Sequence, residues 1–498
     1  MGFLLIALLV GVSDGTADTT VVARVGRFVI TADELMTSYE FGPAFVKRLP
    51  DPLRRHLAFM IDERLLALDA ERLGYDTTPF VRDRQAALTE DLAVEELYRE
   101  EILSRVHPSD EQIAWDMRRA NTTVALRWIF TATEKEARSI QRMLERGAPF
   151  DSLFEARRDT STGSGDRSLE TTALRLERDN PEVARVVEGL PAEKISAPVR
   201  GPDGYYLFRV DRSVQLPIVT ETEAWRLRQE AVTIRTRVAA DSIADTYVKR
   251  AMKASNPVIK AEGFNIVRAL IADRGLTRST KLEWDIPSTF MTEAGPVPIS
   301  ASGTMMDRTL VSFGEKAFTV RDYAVWYDLR QFQLDTRSCE AFNSSVKKTI
   351  WKMVQDRLLS EEAKARGMFV REDVQRHAEA WNAKILYLAG RSVVLRTIRI
   401  TDGELRTKYD QSRKRYLDRS GRIRPFNEVR DHLWEEAYAE REARVLRERL
   451  AELSAVTNVW INESALRIMA VGVKPDARPL EAVFYKPGGT FPRVAFPS

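Results

Sequence analysis

Val25-Gly26-Arg27-Phe28-Val29-Ile30-Thr31 has a second version far down the chain, Phe313-Gly314-Glu315-Lys316-Ala317-Phe318-Thr319. Each reads as a short strand pattern leading to a threonine whose hydroxyl can cap the next helix. An acidic first helical turn follows in both, Asp33-Glu34-Leu35 and Asp322-Tyr323.

The correspondence extends outward from these hairpins. Ile61-Asp62-Glu63-Arg64-Leu65-Leu66 matches Val354-Gln355-Asp356-Arg357-Leu358-Leu359. Leu57, Ile61, Leu65 and Leu68 form one helical stripe, and Val346, Ile350, Val354 and Leu358 form the other. Both helices end at a glycine, Gly74 and Gly367, the usual residue of a left-handed cap. Val81-Arg82 then parallels Val370-Arg371, and Ser109-Asp110-Glu111-Gln112-Ile113 parallels Thr401-Asp402-Gly403-Glu404-Leu405. Two long charged helices close the copies. One has Ala224, Leu227, Ala231, Ile234 and Val238 on a face; the other has Val429, Leu433, Ala437, Leu446 and Leu450. The strand-like Pro257-Val258-Ile259-Lys260 and Asn458-Val459-Trp460-Ile461 follow them. Aligning both ends leaves a block of about 90 residues, 122–212, in the first copy alone, the size of one small domain.

The bulk numbers narrow the function classes. A chain of 498 residues exceeds one ordinary core. Its 76 Lys and Arg against 73 Asp and Glu leave a net charge of +3, which does not suggest a nucleic-acid partner. The single cysteine, Cys339, excludes an internal disulfide and a thiolate cluster. His56, His107, His377 and His432 show no metal-ligand spacing, so neither a metal nor a cofactor is expected. No phosphate-binding loop of the form G-x-x-x-x-G-K-S/T occurs, and no nucleotide is expected. Phe3 to Val12 is an apolar run too short to span a bilayer. It fits the core of a secretory signal with a cleavage point near Ala17, although no Lys or Arg precedes it; a buried first helix is the other reading. Export is the expectation, with the membrane involved only through that signal.

Within the extra block, Val124 to Phe130 reads as a strand and Glu134 to Arg146 as a helix ending at Gly147. Phe150 and Leu153 follow at the spacing G-x-x-F-x-x-L. Pro181 to Leu190 is a later helix, and Ile195-Ser196-Ala197-Pro198-Val199 and Gly204-Tyr205-Tyr206-Leu207-Phe208-Arg209-Val210 are the final strands. In order and spacing this block resembles a parvulin domain. With its flanks, the chain from about Val21 to Ala470 resembles the SurA/PpiD group of parvulin-type periplasmic chaperones, with the helical module present twice and the insert once.

That resemblance implies an α+β, mainly helical fold: two SurA-like helical modules carrying one parvulin-like domain with a small antiparallel sheet. The expected divisions are an export signal (1–20), a first module (21–121) closed by a returning helix (213–275), and the parvulin-like domain (122–212). A linker (276–306) leads to a second module (307–417) with its own returning helix (418–470) and a Pro-rich tail (471–498). The family lowers the roughly 18–20 kcal/mol barrier of prolyl isomerisation with two histidines, a Cys or Asp, and a Phe and Met that seat the ring. By the resemblance these positions fall on Trp128 and Tyr206 for the histidines, Thr160 for the Cys or Asp, Val183 for the Phe, and near Asp179 for the Met. Both imidazoles and the aromatic seat are thus replaced, and members of such a network act as a unit. No catalytic residue is assigned. Trp128 and Tyr206 either fill the old pocket as core or offer a face to client segments.

Three readings of function follow. The first is an ATP-independent chaperone that binds unfolded outer-membrane or secreted polypeptides. The second is a prolyl isomerase with an unusual active site, and the third a structural component of a cell-envelope complex. Tyr323, Trp326, Tyr327, Phe332, Trp381 and Tyr387 are candidate client contacts, or else ordinary helix core.

Overall fold

The computed structural model describes residues 20–40, 47, 50–156, 167–201, 204–218, 220–287, 289–292, 295–298, 303–330, 332–418 and 421–472. The expected export signal, Thr160 and nearly all of the Pro-rich tail lie outside them. The chain opens with β1 (Val21–Val25), β2 (Phe28–Thr31), α1 (Ala32–Glu40), α2 (Pro52–Arg72), α3 (Pro79–Glu101) and α4 (Asp110–Ala120). Next come β3 (Thr122–Thr131), α5 (Glu134–Glu145), α6 (Phe150–Glu155), β4 (Ser168–Thr172), α7 (Ala173–Asp179), α8 (Pro181–Glu188), β5 (Val199–Arg200) and β6 (Tyr205–Gln215). The middle of the chain forms α9 (Glu221–Ser255), β7 (Val258–Ile259), α10 (Ala261–Gly275), α11 (Arg278–Glu283), β8 (Thr289–Thr292), β9 (Gly295–Pro298) and α12 (Gly303–Met306). The remainder forms β10 (Thr309–Phe313), β11 (Lys316–Thr319), α13 (Val320–Arg330), α14 (Cys339–Ala365) and α15 (Glu372–Leu395). It ends with α16 (Asp402–Ser412), α17 (Phe426–Val456), β12 (Val459–Ile461) and α18 (Glu463–Gly472). The fold is α+β and mainly helical, and its sheets are small and antiparallel. Two compact units emerge, one of residues 98–249 and one that joins 20–97 to 250–472.

The larger unit contains both hairpins, and they match in register. Val25 pairs with Phe28, Arg24 with Val29 and Ala23 with Ile30, with an irregular step before Val21–Thr31. Phe313 pairs with Lys316, Ser312 with Ala317 and Val311 with Phe318, with the same step before Thr309–Thr319. Each hairpin ends in the expected cap: Thr31 Oγ1 accepts from Glu34 N–H, and Thr319 Oγ1 from Asp322 N–H. Gly74 and Gly367 follow α2 and α14 with φ of 78° and 71°, a conformation that favours glycine. Ser109 with Gln112, and Thr401 with Glu404, form reciprocal capping boxes at α4 and α16.

The third strand of each sheet lies outside its hairpin, far down the chain for the first and just ahead of α10 for the second. β12 pairs with β1, Ala23 opposite Ile461 and Val25 opposite Val459. β7 pairs with β10, Val311 opposite Ile259 and Ser312 opposite Val258. Asn462 N–H donates to the Val22 carbonyl and Lys260 N–H to that of Leu310, both at 2.8 Å. The cores follow the strands. Leu453 of α17 and Leu466 of α18 are buried with Val22, Leu35, Leu57 and Leu65. Ile266, Val267, Leu270 and Ile271 of α10 are buried with Val311, Tyr323, Phe342 and Ile350. Full burial of one such side chain contributes about 1.5–3 kcal/mol, so each exchanged segment is integral to the core it enters. The linear division of the sequence differs here: it assigns 213–275 to the first module and 418–470 to the second, whereas each closing strand completes the other hairpin's sheet. Repeats reveal the order of elements, but strand partners are chosen by non-local pairing. The expected linker also contains structure, the β8–β9 hairpin.

Two further crossings tie the unit together by different physics. α15 lies against α2 closely enough that a Cβ on Gly390 would sit 2.4 Å from the Leu66 carbonyl oxygen. Small residues make this possible, since Ala67, Ala70 and Ala389 fill the same contact. α3 reaches α13 and α14 through charge. Both terminal guanidinium nitrogens of buried Arg330 donate to Asp91, at 2.6 and 2.5 Å. Arg357 pairs with Glu90 at 2.8 Å and Arg371 with Glu96 at 2.9 Å. Burial pushes the Asp91 carboxyl up to about 6 against the opposing pull of Arg330.

Removing one partner of a desolvated pair strands the other. Arg330→Ala should lower the unfolding free energy by about 3–5 kcal/mol, and Arg330→Met combined with Asp91→Leu should recover most of it; equilibrium denaturation of the three proteins checks this. A second expectation concerns His56, which is buried, with Nε2 2.9 Å from Ser38 Oγ. Burial, then Lys384 and Lys47, lowers its pKa from 6.5 to about 4. The neutral ring's contribution is therefore complete above pH 6.5 and is lost as pH falls toward 4, by about 3 kcal/mol at most. Asp91 acts in the opposite sense, its contribution lost as pH rises through about 6. The test is therefore the difference between wild type and His56→Gln, which should shrink on acidification from pH 7.5 to 4.5.

Candidate functional site

The smaller unit is built around a four-stranded antiparallel sheet in the order β4-β3-β6-β5. β3 and β6 pair along their length, from Thr122–Gln215 to Thr131–Tyr205, with Asp211 as the extra residue of a bulge. Alternation along a strand sends successive side chains to opposite faces. On one face Ile129 and Leu207 pack beneath α5 and α6 against Ala137, Ile140 and Phe150. Arg127 and Arg209 lie over the Phe150 ring, 5.5 and 4.4 Å from its centre, and both hold Asp211 at 2.6 Å. Although burial works against it, the two guanidinium groups keep the Asp211 carboxyl below its usual range.

The opposite face carries the side chains singled out in the sequence. Val124, Leu126 and Val210 are buried under α7 and α8, where Val183 packs with Leu176, Ala184 and Val187. Further along, Trp128 lies 6.2 Å from Phe208, Phe208 6.1 Å from Tyr206, and Tyr206 5.3 Å from Phe130, centre to centre. The result is a two-by-two cluster of rings, Trp128 opposite Phe208 and Phe130 opposite Tyr206, of which Phe208 is buried and the other three are half-buried. Trp128, Val183 and Tyr206 thus share one face; Thr160 lies outside the described residues. Asp179 is held by Arg178 at 2.7 Å, and that pair lowers its carboxyl pKa. Phe130 and Phe208 were not singled out in the sequence. The period-two alternation could have found them, since they share the parity of Trp128 and Tyr206 on adjacent strands.

Two neighbours hold the cluster in place. Ser196 Oγ accepts from the Phe208 N–H at 2.9 Å, and Ser196 N–H donates to the Phe208 carbonyl at 2.8 Å. Gly204 lies so close that a Cβ there would be 2.5 Å from the Phe130 ring and 2.4 Å from the Thr131 carbonyl oxygen. The sheet is joined to α4 and α9 by a buried charge cluster. Arg235 holds fully buried Asp116 through two contacts of 2.6 Å, and Arg119 pairs with Glu177 and, at 3.1 Å, with Glu188.

The block 122–212 contains neither histidine nor cysteine. His107 precedes it and is exposed. Among the described residues no cluster of His, Cys, Asp and Glu could hold a metal ion. What the face offers chemically is aromatic surface.

Of the six other aromatics, read from the sequence as client contacts or helix core, most are packed against neighbours. Tyr323 and Trp326 are core, with Tyr327 and Phe332 packed against that same core. Their polar atoms are satisfied internally: Tyr323 Oη with Thr349 at 2.6 Å, Trp326 Nε1 with Asp356 at 3.2 Å, and Tyr327 Oη with the Phe332 carbonyl at 2.9 Å. Tyr387 packs into the other core, against Leu66 and Leu386 among others. Trp381 is half-buried on α15. These six do not form one surface patch, because the apolar stripes of α13 and α15 are consumed in packing against neighbouring helices.

No family model matches the sequence, and no curated protein matches it. Similar solved structures include the peptidylprolyl isomerase PrsA of Bacillus anthracis, at 20% identity and a TM-score of 0.22, covering 29% of this chain and 64% of that one. PrsA of Bacillus subtilis is 16% identical with a TM-score of 0.17, covering 46% and 93%. A structure of the SurA-like chaperones of Campylobacter jejuni is 18% identical with a TM-score of 0.19, covering 48% and 97%. The chain thus spans less than two thirds of the Bacillus anthracis protein. Among the described residues no helix is long and apolar enough to cross a membrane.

The close seat of Gly204 gives a direct check on the site. Gly204→Ala should destabilise the start of β6 by roughly 1–3 kcal/mol through overpacking. Hydrogen exchange should quicken at 205–208 and at their partners 128–131, while exchange in α14 stays unchanged.

Proposed function

We propose that this protein is an exported, ATP-independent chaperone that binds unfolded outer-membrane or secreted polypeptides. Its parvulin-like domain, 122–212, serves as a contact surface and not as an isomerase. The observation that carries this reading is the aromatic cluster Trp128, Phe208, Tyr206 and Phe130, in which Trp128 and Tyr206 stand, by the resemblance, where the family keeps its imidazoles. An extended client segment places alternate side chains about 6.8 Å apart on one side. The 6.1 Å between Tyr206 and Phe208, neighbours on one face of β6, is close to that repeat. Each aromatic contact adds about 0.5–1.5 kcal/mol, so several together hold a client reversibly without nucleotide turnover. The helical module occurs twice in this reading, and its two copies have exchanged closing strands within one chain.

The test pairs two assays on the full chain. Wild type should suppress aggregation of a protein diluted from denaturant, and Trp128→Ala with Tyr206→Ala should require several-fold more chaperone for equal protection. Isomerisation of a short Xaa-Pro peptide should proceed at its uncatalysed rate. A clear acceleration that disappears on deleting 122–212 would overturn this reading and make the protein an isomerase with a replaced network. Capture of a single envelope protein, with no protection of unfolded chains, would favour the structural-component reading.

A further inference from the structure

The connection between α16 and α17 is small and of unusual composition. Leu417 and Ile423 face each other in an antiparallel bridge. The turn between them is held by Asp418 N–H to the Arg422 carbonyl at 2.8 Å and Gly421 N–H to the Asp418 carbonyl at 3.0 Å. Below it, Leu405, Tyr409, Tyr416, Val429 and Leu433 form a closed core that does not include either aliphatic tip. Tyr416 anchors the turn, its ring 6.1 Å from Tyr409 and its hydroxyl donating to Glu436 at 3.0 Å. Leu417 and Ile423 are left 50% and 49% exposed. An aliphatic pair in a turn that packing does not require calls for another explanation.

The charge around the pair supplies one. The sequence from 413 to 424 carries six Lys and Arg against the single acid Asp418, a net +5 where the whole chain carries +3. Arg413 is engaged by Asp410 at 2.6 Å and Arg424 by Glu428 at 3.4 Å. Asp418 Oδ1 accepts from the Arg422 backbone N–H at 2.9 Å. The side chains of Lys414, Arg415 and Arg422 are exposed and make no ion pair among the described residues. Three available cations within three residues of two exposed aliphatic side chains match the boundary of an anionic bilayer, where phosphates lie just outside acyl chains. A nucleic acid or an acidic peptide would use the cations and leave Leu417 and Ile423 without a role.

We propose that Leu417 and Ile423, with Lys414, Arg415 and Arg422, form a docking site for an anionic phospholipid surface. Leu417 and Ile423 enter the headgroup boundary while the cations pair with lipid phosphates. This contact is independent of the aromatic face and of client binding. It brings the protein to the membrane reversibly, because two short side chains and screened charges cannot anchor it permanently.

The test is sedimentation of the full chain with vesicles of equal parts phosphatidylglycerol and phosphatidylcholine, against vesicles of phosphatidylcholine alone. The protein should sediment with the anionic vesicles only, and raising the salt should release it. Lys414→Glu with Arg415→Glu and Arg422→Glu should weaken this binding about tenfold or more. Leu417→Asp with Ile423→Asp should also weaken it severalfold with the cations intact. Unchanged thermal melting of both variants shows that the fold is retained, as expected of exposed side chains outside the core. A variant that melts early is replaced by Leu417→Ser with Ile423→Ser, or by Lys414→Gln with Arg415→Gln and Arg422→Gln, read the same way. Absence of binding to anionic vesicles, or binding unaffected in both variants, overturns the proposal. So does equal binding to polyglutamate or duplex DNA that ignores the Leu417 and Ile423 substitution.

Discussion

The larger unit depends on strand exchange. β12 closes the sheet of the first hairpin and β7 closes that of the second. Each closing strand is followed by a helix that enters the same core, so strand and helix act as one inserted piece. A two- or three-residue strand supplies few ladder hydrogen bonds and cannot hold by itself. The burial of Ile266, Val267 and Leu270 on one side, and of Leu453 and Leu466 on the other, makes the exchange stable. The first hairpin's core is completed by α17 and α18, and the second's by α10.

Pairing is further specified by how helices meet. The α2–α15 contact is close and apolar, governed by Gly390 and alanines, and it tolerates no added Cβ. The approach of α3 is polar and governed by Arg330, Glu90 and Asp91. A charge reversal separates two other helix pairs. Arg235 of α9 holds Asp116 of α4, whereas Lys408 of α16 holds Glu436 and Glu440 of α17. Pairing α4 with α17 would bring carboxylates together, and pairing α9 with α16 would bring cations together. Charge thus discriminates between partners whose apolar stripes are similar. Similar stripes alone would leave such pairings close in energy.

The candidate site was partly legible from sequence because a β-strand has a fixed period. Once Val124–Phe130 and Tyr205–Val210 are strands, Trp128 and Tyr206 fall on predictable faces, and Val183 follows on a helix that must cover one of them. Phe130 and Phe208 obey the same rule, each two residues along its strand from Trp128 or Tyr206. The helical aromatics were harder. Tyr323, Trp326, Tyr327 and Phe332 form a stripe that either a client or a neighbouring helix could cover, and a 3.6-residue period cannot say which. α10 enters the core they line from a distance in sequence that no local pattern reports.

Local chemistry along the chain determined the hairpins, their capping threonines, the glycines that end α2 and α14, the amphipathic stripes and the size of the extra block. These follow from interactions within a few residues, so they can be read wherever they occur. Tertiary structure alone decided which hairpin each closing strand completes, which aromatic rings are exposed, and that Asp91 meets Arg330. The physical reason is that these contacts join residues far apart in sequence. Their stability comes from burying surfaces whose partners are selected by shape and charge in three dimensions.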